Sequence, residues 1–390
     1  MKGRYEIGVL AVFLLSLIVY MVIAWTVLEP LGYYGTKEQP RFADPWIARA
    51  ETILQGGVLY RDVFTTTPPL MNYLLIPPVV VSGWFDHQNP WATSAFMVYF
   101  SLFNLFIAYA LLYTAEEKAK GYHWALFYLL NPLTFGNTVL RRQDESVLVF
   151  FFALAMLMLI RRRHVASALV MGLSLLVKLT GGMMIPVSFL NGRRWRYLVI
   201  PFVVFAVIFL PFYLKAGEAA IFWNPQQEHA EHPFQFGGVS LGALWLRWQG
   251  GAAETILRVS SVLFIAGVTV TLLVIAWRPR GDFYDLAFLV AGVLLLSPKL
   301  HCGYFSILVF ALTPLMRHSR LVGAYFGLAV LALVADMYKW PVENFQIAWW
   351  FMFGVEVLLG LIIFWIRRDG ATAGEAFETD HPVSEGGLQA

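Results

Sequence analysis

Asp44 sits in the stretch RFADPWIARA, residues 41–50, shortly after an apolar run, Ile7–Leu28, that is long enough to cross a bilayer. A carboxylate so placed can start a helix, or it can act as a base. The first reading is well supported. Asp is a preferred N-cap, and Pro is a preferred first helical residue. Trp46, Ile47, Ala50, Ile53 and Leu54 then recur on one helical face, and Gly56-Gly57 ends the run. The spacing predicts an amphipathic helix on the outer membrane surface, begun by Asp44. The second reading needs partners, namely charged groups that the fold brings to the same place.

Several segments offer them. In GGVLYRDVFTTTPPLMNYL (56–74), Arg61 and Asp62 stand between two expected interfacial helices, where a solvated turn also explains them. RRQDES (141–146) places Arg141, Arg142, Asp144 and Glu145 in an otherwise apolar stretch. Charges near hydrocarbon cost about 2.5–3.5 kcal/mol each on insertion scales, so they pair with one another or serve a site. Lys178, in LLVKLTGG, either snorkels to headgroups or meets an anion. Lys299 and His301, in SPKLHCGYF, form a second cationic pair between spans. His229 and His232 flank Glu231 in HAEHP. Two histidines and a carboxylate can hold a metal, but no third dedicated ligand accompanies them, so phosphate or substrate contacts are expected there and no metal. No Gly-x-Ser-x-Gly elbow, His-Glu-x-x-His pair, cysteine cluster or nucleotide-binding glycine motif occurs, and no cofactor is expected. An external carboxylate with cations on neighbouring turns suits group transfer from a lipid phosphate. The base takes the acceptor proton and the cations stabilise the departing phosphate. If the group moved is a sugar, this is glycosyl transfer.

The elements that must position these residues are membrane helices. Hydrophobic residues make up 59% of the 390 and charged residues only 14%, with a mean hydropathy of +0.64. So little charge cannot cover a water-facing surface. Long apolar runs rather than short alternating ones argue against a β-barrel. Ile7–Leu28 is too long for a signal core and is expected to stay as a span. Cys302 is the single cysteine, so no internal disulfide forms. Basic residues in such a chain report topology, and nucleic acid is not an expected partner.

Lys2 and Arg4 precede the first span and put the N-terminus inside. If the later basic clusters (Arg161–Arg163, Arg193–Arg196, Arg278–Arg280, Arg317–Arg320, Arg367–Arg368) also face the cytoplasm, about twelve membrane segments result, near 7–28, 91–113, 122–139, 146–160, 165–178, 182–190, 195–214, 256–277, 283–298, 303–316, 321–338 and 345–366. Gly181, Gly182 and Pro186 break 165–190 into two half-spans. The proline-rich 68–84 is expected to lie in the outer interface. The expected organisation is one all-α, polytopic membrane domain over 1–366. It has large external loops at 29–90 and 215–255, and a disordered cytoplasmic tail at 367–390. Both termini are expected in the cytoplasm and the site on the outer face of a plasma membrane.

The order of these motifs resembles the GT-C superfamily of polyprenyl-phosphate-sugar glycosyltransferases. Within it, the motifs are most similar to the GPI mannosyltransferase I catalytic subunit and to bacterial polyprenol-phosphate-mannose mannosyltransferases. The likeness runs through the first-loop acid, GGVLYRDVFTTTPPL, NPLTFGNTVLRRQDES, VKLTGG, HPFQFGGVSLGALW and SPKLHCGYF, over roughly residues 7–305. It implies a sugar, mannose-like, moved from a polyprenyl-phosphate donor to a glycan or lipid acceptor. It further implies Asp44 as general base, Asp144 or Glu145 as a second acid shaping the site, and Arg141, Lys178, Lys299 and His301 on the donor phosphate. Where the GPI enzyme has Asp-x-Asp, this chain has Phe42 two residues before Asp44. A transporter or flippase would also use short broken helices, but would gather its polar groups at mid-membrane between repeated halves. Here they gather at one face and no repeat is seen.

Overall fold

The computed structural model describes residues 3–36, 39–40, 44–85, 89–221, 253–297, 302–316, 319–338 and 345–378; of Asp44 it describes the backbone alone. The chain is all-α. One short antiparallel pairing, Gly35–Thr36 with Gln39–Pro40, interrupts it. The helices are α1 (Arg4–Ile23, continued by a π-turn to Leu28), α2 (Asp44–Leu54), α3 (Pro69–Leu74), α4 (Ile76–Gly83), α5 (Ser94–Thr114), α6 (Lys118–Leu130) and α7 (Pro132–Phe135). They continue as α8 (Glu145–Ile160), α9 (His164–Val177), α10 (Met184–Gly192), α11 (Arg196–Ala216), α12 (Glu218–Ile221), α13 (Ala253–Trp277), α14 (Asp282–Leu296), α15 (Phe305–Leu312), α16 (Ser319–Tyr338) and α17 (Phe345–Glu378).

Among the described residues, five helices have the length and apolarity to cross a membrane alone: α1, α5, α11, α13 and α17. The others fall short of the roughly 20 residues a crossing needs or of the apolarity, as several of the twelve expected segments already did in the sequence. The long helices α1, α11 and α13 expose most of their aliphatic side chains, such as Leu15, Val207 and Val262. The short ones lie inside: α15 is buried from end to end, and α8 and α14 largely so. Short helices survive in a membrane when protein surrounds them. The stretch 68–84 forms α3 and α4, together too short to cross, packed against α2 and α5. α17 runs from Phe345 to Glu378.

Two interior breaks shape the site. At Asn131-Pro132 the chain leaves α6. The Asn131 side chain accepts from the Leu133 N–H at 2.9 Å, and Thr134 Oγ1 donates to the Tyr128 carbonyl at 2.6 Å. Asn104 of α5 braces this break. It accepts from the Tyr128 hydroxyl (2.9 Å) and donates to Thr138 Oγ1 (3.1 Å). At 178–182 the backbone turns extended at Lys178, and Gly181 packs so closely on the Ser174 carbonyl that no Cβ would fit.

Helix directions separate two ends. α8 and α9 are antiparallel neighbours, so Asp144 and Lys178 share one end while Arg161–Arg163 occupy the other. Arg161 donates to the Tyr113 carbonyl at the close of α5, and Glu6 near the start of α1 pairs with Lys118. Asn191 donates to Asp282, and Arg280 donates to the Arg367 carbonyl. The basic clusters from α1, α8, α10, α14 and α17 therefore share the end opposite the Asp144–Lys178 cluster. The sixteen residues of α8 put about 24 Å between the two ends.

Candidate active site

α2 begins at Asp44 and ends as its sequence requires. Gly56 takes a positive φ of 80°, and its N–H closes on the Ile53 carbonyl. Its inward face carries Trp46, Ile47 and Ala50, while Leu54 is exposed. Trp46 packs on Phe96 and Phe100 of α5, and the Arg142 guanidinium lies over its ring at 5.7 Å. The helix that Asp44 opens therefore touches the RRQDES turn directly.

That turn sends its groups in different directions. Arg142, with φ 52°, is buried against Trp46 and Phe96 and donates to Thr93 Oγ1. Arg141 is also buried and donates to Asn137 Oδ1 at 3.1 Å. Asp144 stands at the N-cap of α8 without capping it. Lys178 reaches both acids, with Nζ 3.0 Å from Glu145 Oε1 and 3.8 Å from Asp144 Oδ1, and it lies 4.9 Å over the Tyr304 ring. Burial works against the Lys178 ammonium, but Glu145 and Asp144 outweigh it and hold its pKa above the ordinary lysine value. Burial, aided by Glu145, pushes the Asp144 carboxyl upward against the pull of Lys178.

The two acids differ in position. Glu145 is nearly inaccessible, and Gly303 presses on its carboxyl so tightly that any Cβ there would collide. Asp144 instead lines a cavity of about 660 Å³. The polar part of that cavity includes Thr66, Thr67, Asp144, Lys178, Thr180, Ser297 and Tyr304. Phe264, Val268 and Leu272 of α13, with Leu289 and Val293 of α14, form an apolar wall. The other face of α13, with Val262 and Ile265, is exposed and apolar.

The loop before α3 is fixed at the cavity edge. Its Thr67 carbonyl accepts from the Tyr60 hydroxyl (3.0 Å) and from Asn72 Nδ2 (3.1 Å), and Thr67 Oγ1 accepts from Arg49 Nη1 (3.1 Å). Arg49 also lies within electrostatic reach of Asp144. Four of the sequence motifs therefore converge: the TTTPP loop, the RRQDES turn, the KLTGG break, and the two described flanks of SPKLHCGYF.

The profile of glycosyltransferase family 87 matches residues 64–298, well over half the chain. The chain belongs to glycosyltransferase family 87, a GT-C-type family of membrane glycosyltransferases. No curated protein matches it. The family match holds Thr67, Asp144, Glu145 and Lys178, and it begins after Asp44. It makes this a membrane enzyme with a sugar donor and an acceptor.

Other expected site residues fall elsewhere. Arg61 and Asp62 form an exposed pair at 2.8 Å on the turn after α2, away from the cavity lining. Asp62 also accepts from the Val58 N–H, and Arg61 keeps its carboxyl well below the usual range. Arg141 does not line the cavity; it backs Glu145 from the protein side. Lys299, His301, His229 and His232 lie outside the described residues, as does most of the 215–255 loop. Several contributors were missed in the sequence, among them Thr67, Thr180 and Ser297 of the cavity lining. Gly303 and Tyr304 stood inside a motif already singled out. Arg49 gave no signal, because a lone cation on an interfacial helix is ordinary.

Proposed function

We propose that this family 87 enzyme moves a mannose-like sugar from a polyprenyl-phosphate donor to a glycan or lipid acceptor on the outer face of the plasma membrane. The observation that carries the proposal is the cavity itself. Among the described residues it places one accessible carboxylate, one cation and several hydroxyl groups at its polar part, against an apolar wall whose outer face is exposed. A lipid-linked sugar phosphate has the same division.

In this reading the acceptor hydroxyl attacks the anomeric carbon of the sugar. The carbon–oxygen bond to phosphate breaks, its electron pair leaves with the phosphate, and the configuration inverts. Asp44 takes the acceptor proton. The helix that begins at Asp44, α2, is joined to the cavity edge through Trp46 on Arg142 and Arg49 on Thr67, which supports this role. Lys178 faces the donor phosphate, joined by Lys299 and His301. Glu145 holds Lys178 in place, and Asp144 meets hydroxyl groups of the substrate.

The test is a membrane assay with polyprenyl-phosphate mannose, arabinose and glucose, with products read by mass spectrometry. Asp44→Asn keeps a good cap residue. It is expected to insert and fold normally and to lose transfer at least a hundredfold. Full activity in that variant would remove Asp44 as the base. Absence of transfer from all three donors to any membrane acceptor would overturn the donor class.

A further inference from the structure

Away from the cavity, two arginine loops are brought to one point. Arg161–Arg163 join α8 to α9, and Arg193, Arg194 and Arg196 lie where α10 passes into α11. All six are exposed. The buried Tyr197 hydroxyl meets His164 Nδ1 at 2.7 Å and ties the loops together. Arg162, Arg194 and Arg196 all fall within electrostatic reach of His164. Arg162 and Arg193 take left-handed φ values of 57° and 45°, which non-glycine residues seldom adopt.

None of the six arginines is in an ion pair among the described residues; the Arg161 guanidinium donates to the Tyr113 carbonyl. Nearby carboxylates are engaged: Glu6 by Lys118 and Asp282 by Asn191. Asp285 accepts from the Arg280 and Gly281 N–H groups, and Glu116 and Glu117 lie on the α5–α6 loop. Directly below the arginines, the first two turns of α9 and α11 expose Val165, Leu169, Val199 and Phe202. Trp195, 71% exposed, projects among the arginines, as an interfacial anchor does.

We infer that this surface is a binding site for anionic phospholipid. Its headgroup phosphate sits on the guanidinium groups and its acyl chains lie on the exposed faces of α9 and α11. Orientation in the membrane needs only a bias of positive charge. It does not need two loops thirty residues apart locked around one histidine–tyrosine contact. Guanidinium groups grip phosphate oxygens in pairs, which an ammonium cannot do.

The test places the full-length protein in nanodiscs of phosphatidylcholine, with and without phosphatidylglycerol, and reads retained lipid by native mass spectrometry and Tm. The wild type is expected to retain phosphatidylglycerol preferentially and to unfold at higher temperature in its presence. Arg193→Gln/Arg194→Gln/Arg196→Gln is expected to lose that preference by on the order of a hundredfold, from about 1 kcal/mol per arginine at an anionic surface. The matching triple Lys variant keeps the topological charge and is expected to hold an intermediate preference. Equal retention of the two lipids by the wild type would overturn the inference. So would a Gln variant that inserts normally and keeps the preference. A Tm rise produced equally by inorganic phosphate would also overturn it, reducing the surface to a general anion site.

Discussion

At the residue scale, the centre of the candidate site is a lysine shared by two carboxylates. Lys178 bonds Glu145, which is buried, and lies beside Asp144, which faces the cavity. Removing one partner of a buried pair leaves the other charge stranded, at about 3–5 kcal/mol. Lys178→Met is therefore expected to lower Tm and abolish transfer. Lys178→Met/Glu145→Gln should recover most of the Tm and none of the transfer, as measured by thermal unfolding in detergent beside the membrane assay. Recovery of transfer in the double variant would make the lysine a structural strut only. The sign of the pH effect follows from the raised Lys178 pKa. The folded state holds this proton more tightly than the unfolded chain does. The stability it contributes is complete below the unfolded lysine value of about 10.4 and fades as pH rises through the higher folded value. The Lys178 ammonium should contribute unchanged from neutral to mildly alkaline pH, so a Tm gap between wild type and Lys178→Met that widens in that range would report ionisation of the stranded Glu145.

At the element scale, helix ends and helix breaks make the site. The sequence showed most of them. Asp44-Pro45 and Gly56-Gly57 marked α2, and Gly181-Gly182 marked the break after Lys178, because caps and breakers act locally. The sequence could not show which group meets which. RRQDES could have paired within itself. Arg142 goes to Trp46 and Thr93, the acids go to Lys178, and Arg141 keeps an electrostatic partner within the motif, Glu145. Such choices depend on contacts between helices far apart in the chain. Gly303 is the clearest case, since its lack of a side chain matters only once Glu145 lies against it. Gly303→Ala is expected to insert normally but to displace Glu145 from Lys178, with transfer falling at least tenfold and KM for the donor rising. Unchanged kinetics would show that the turn yields without cost.

At the scale of the whole molecule, the chain separates a cavity end from an arginine end. Composition made an all-α membrane protein legible, and basic clusters predicted a shared face. The number of spans was less legible, because a buried helix and a crossing helix have similar apolarity over fifteen residues. Sidedness can be checked with single cysteines, since Cys302 is buried. With a membrane-impermeant maleimide outside intact cells, Asp62→Cys should label and Arg194→Cys should not. The reverse pattern would turn the enzyme over and move its chemistry to the cytoplasm. Gly303 bears on a further property of the cavity. Its carbonyl accepts from Asn137, whose amide also donates to Ser306, while its Cα lies against Glu145. The floor beneath Lys178 is thus preorganised before any donor arrives. Little ordering entropy remains to be lost there on binding, so differences in affinity between donors should originate at the walls and scarcely at the floor.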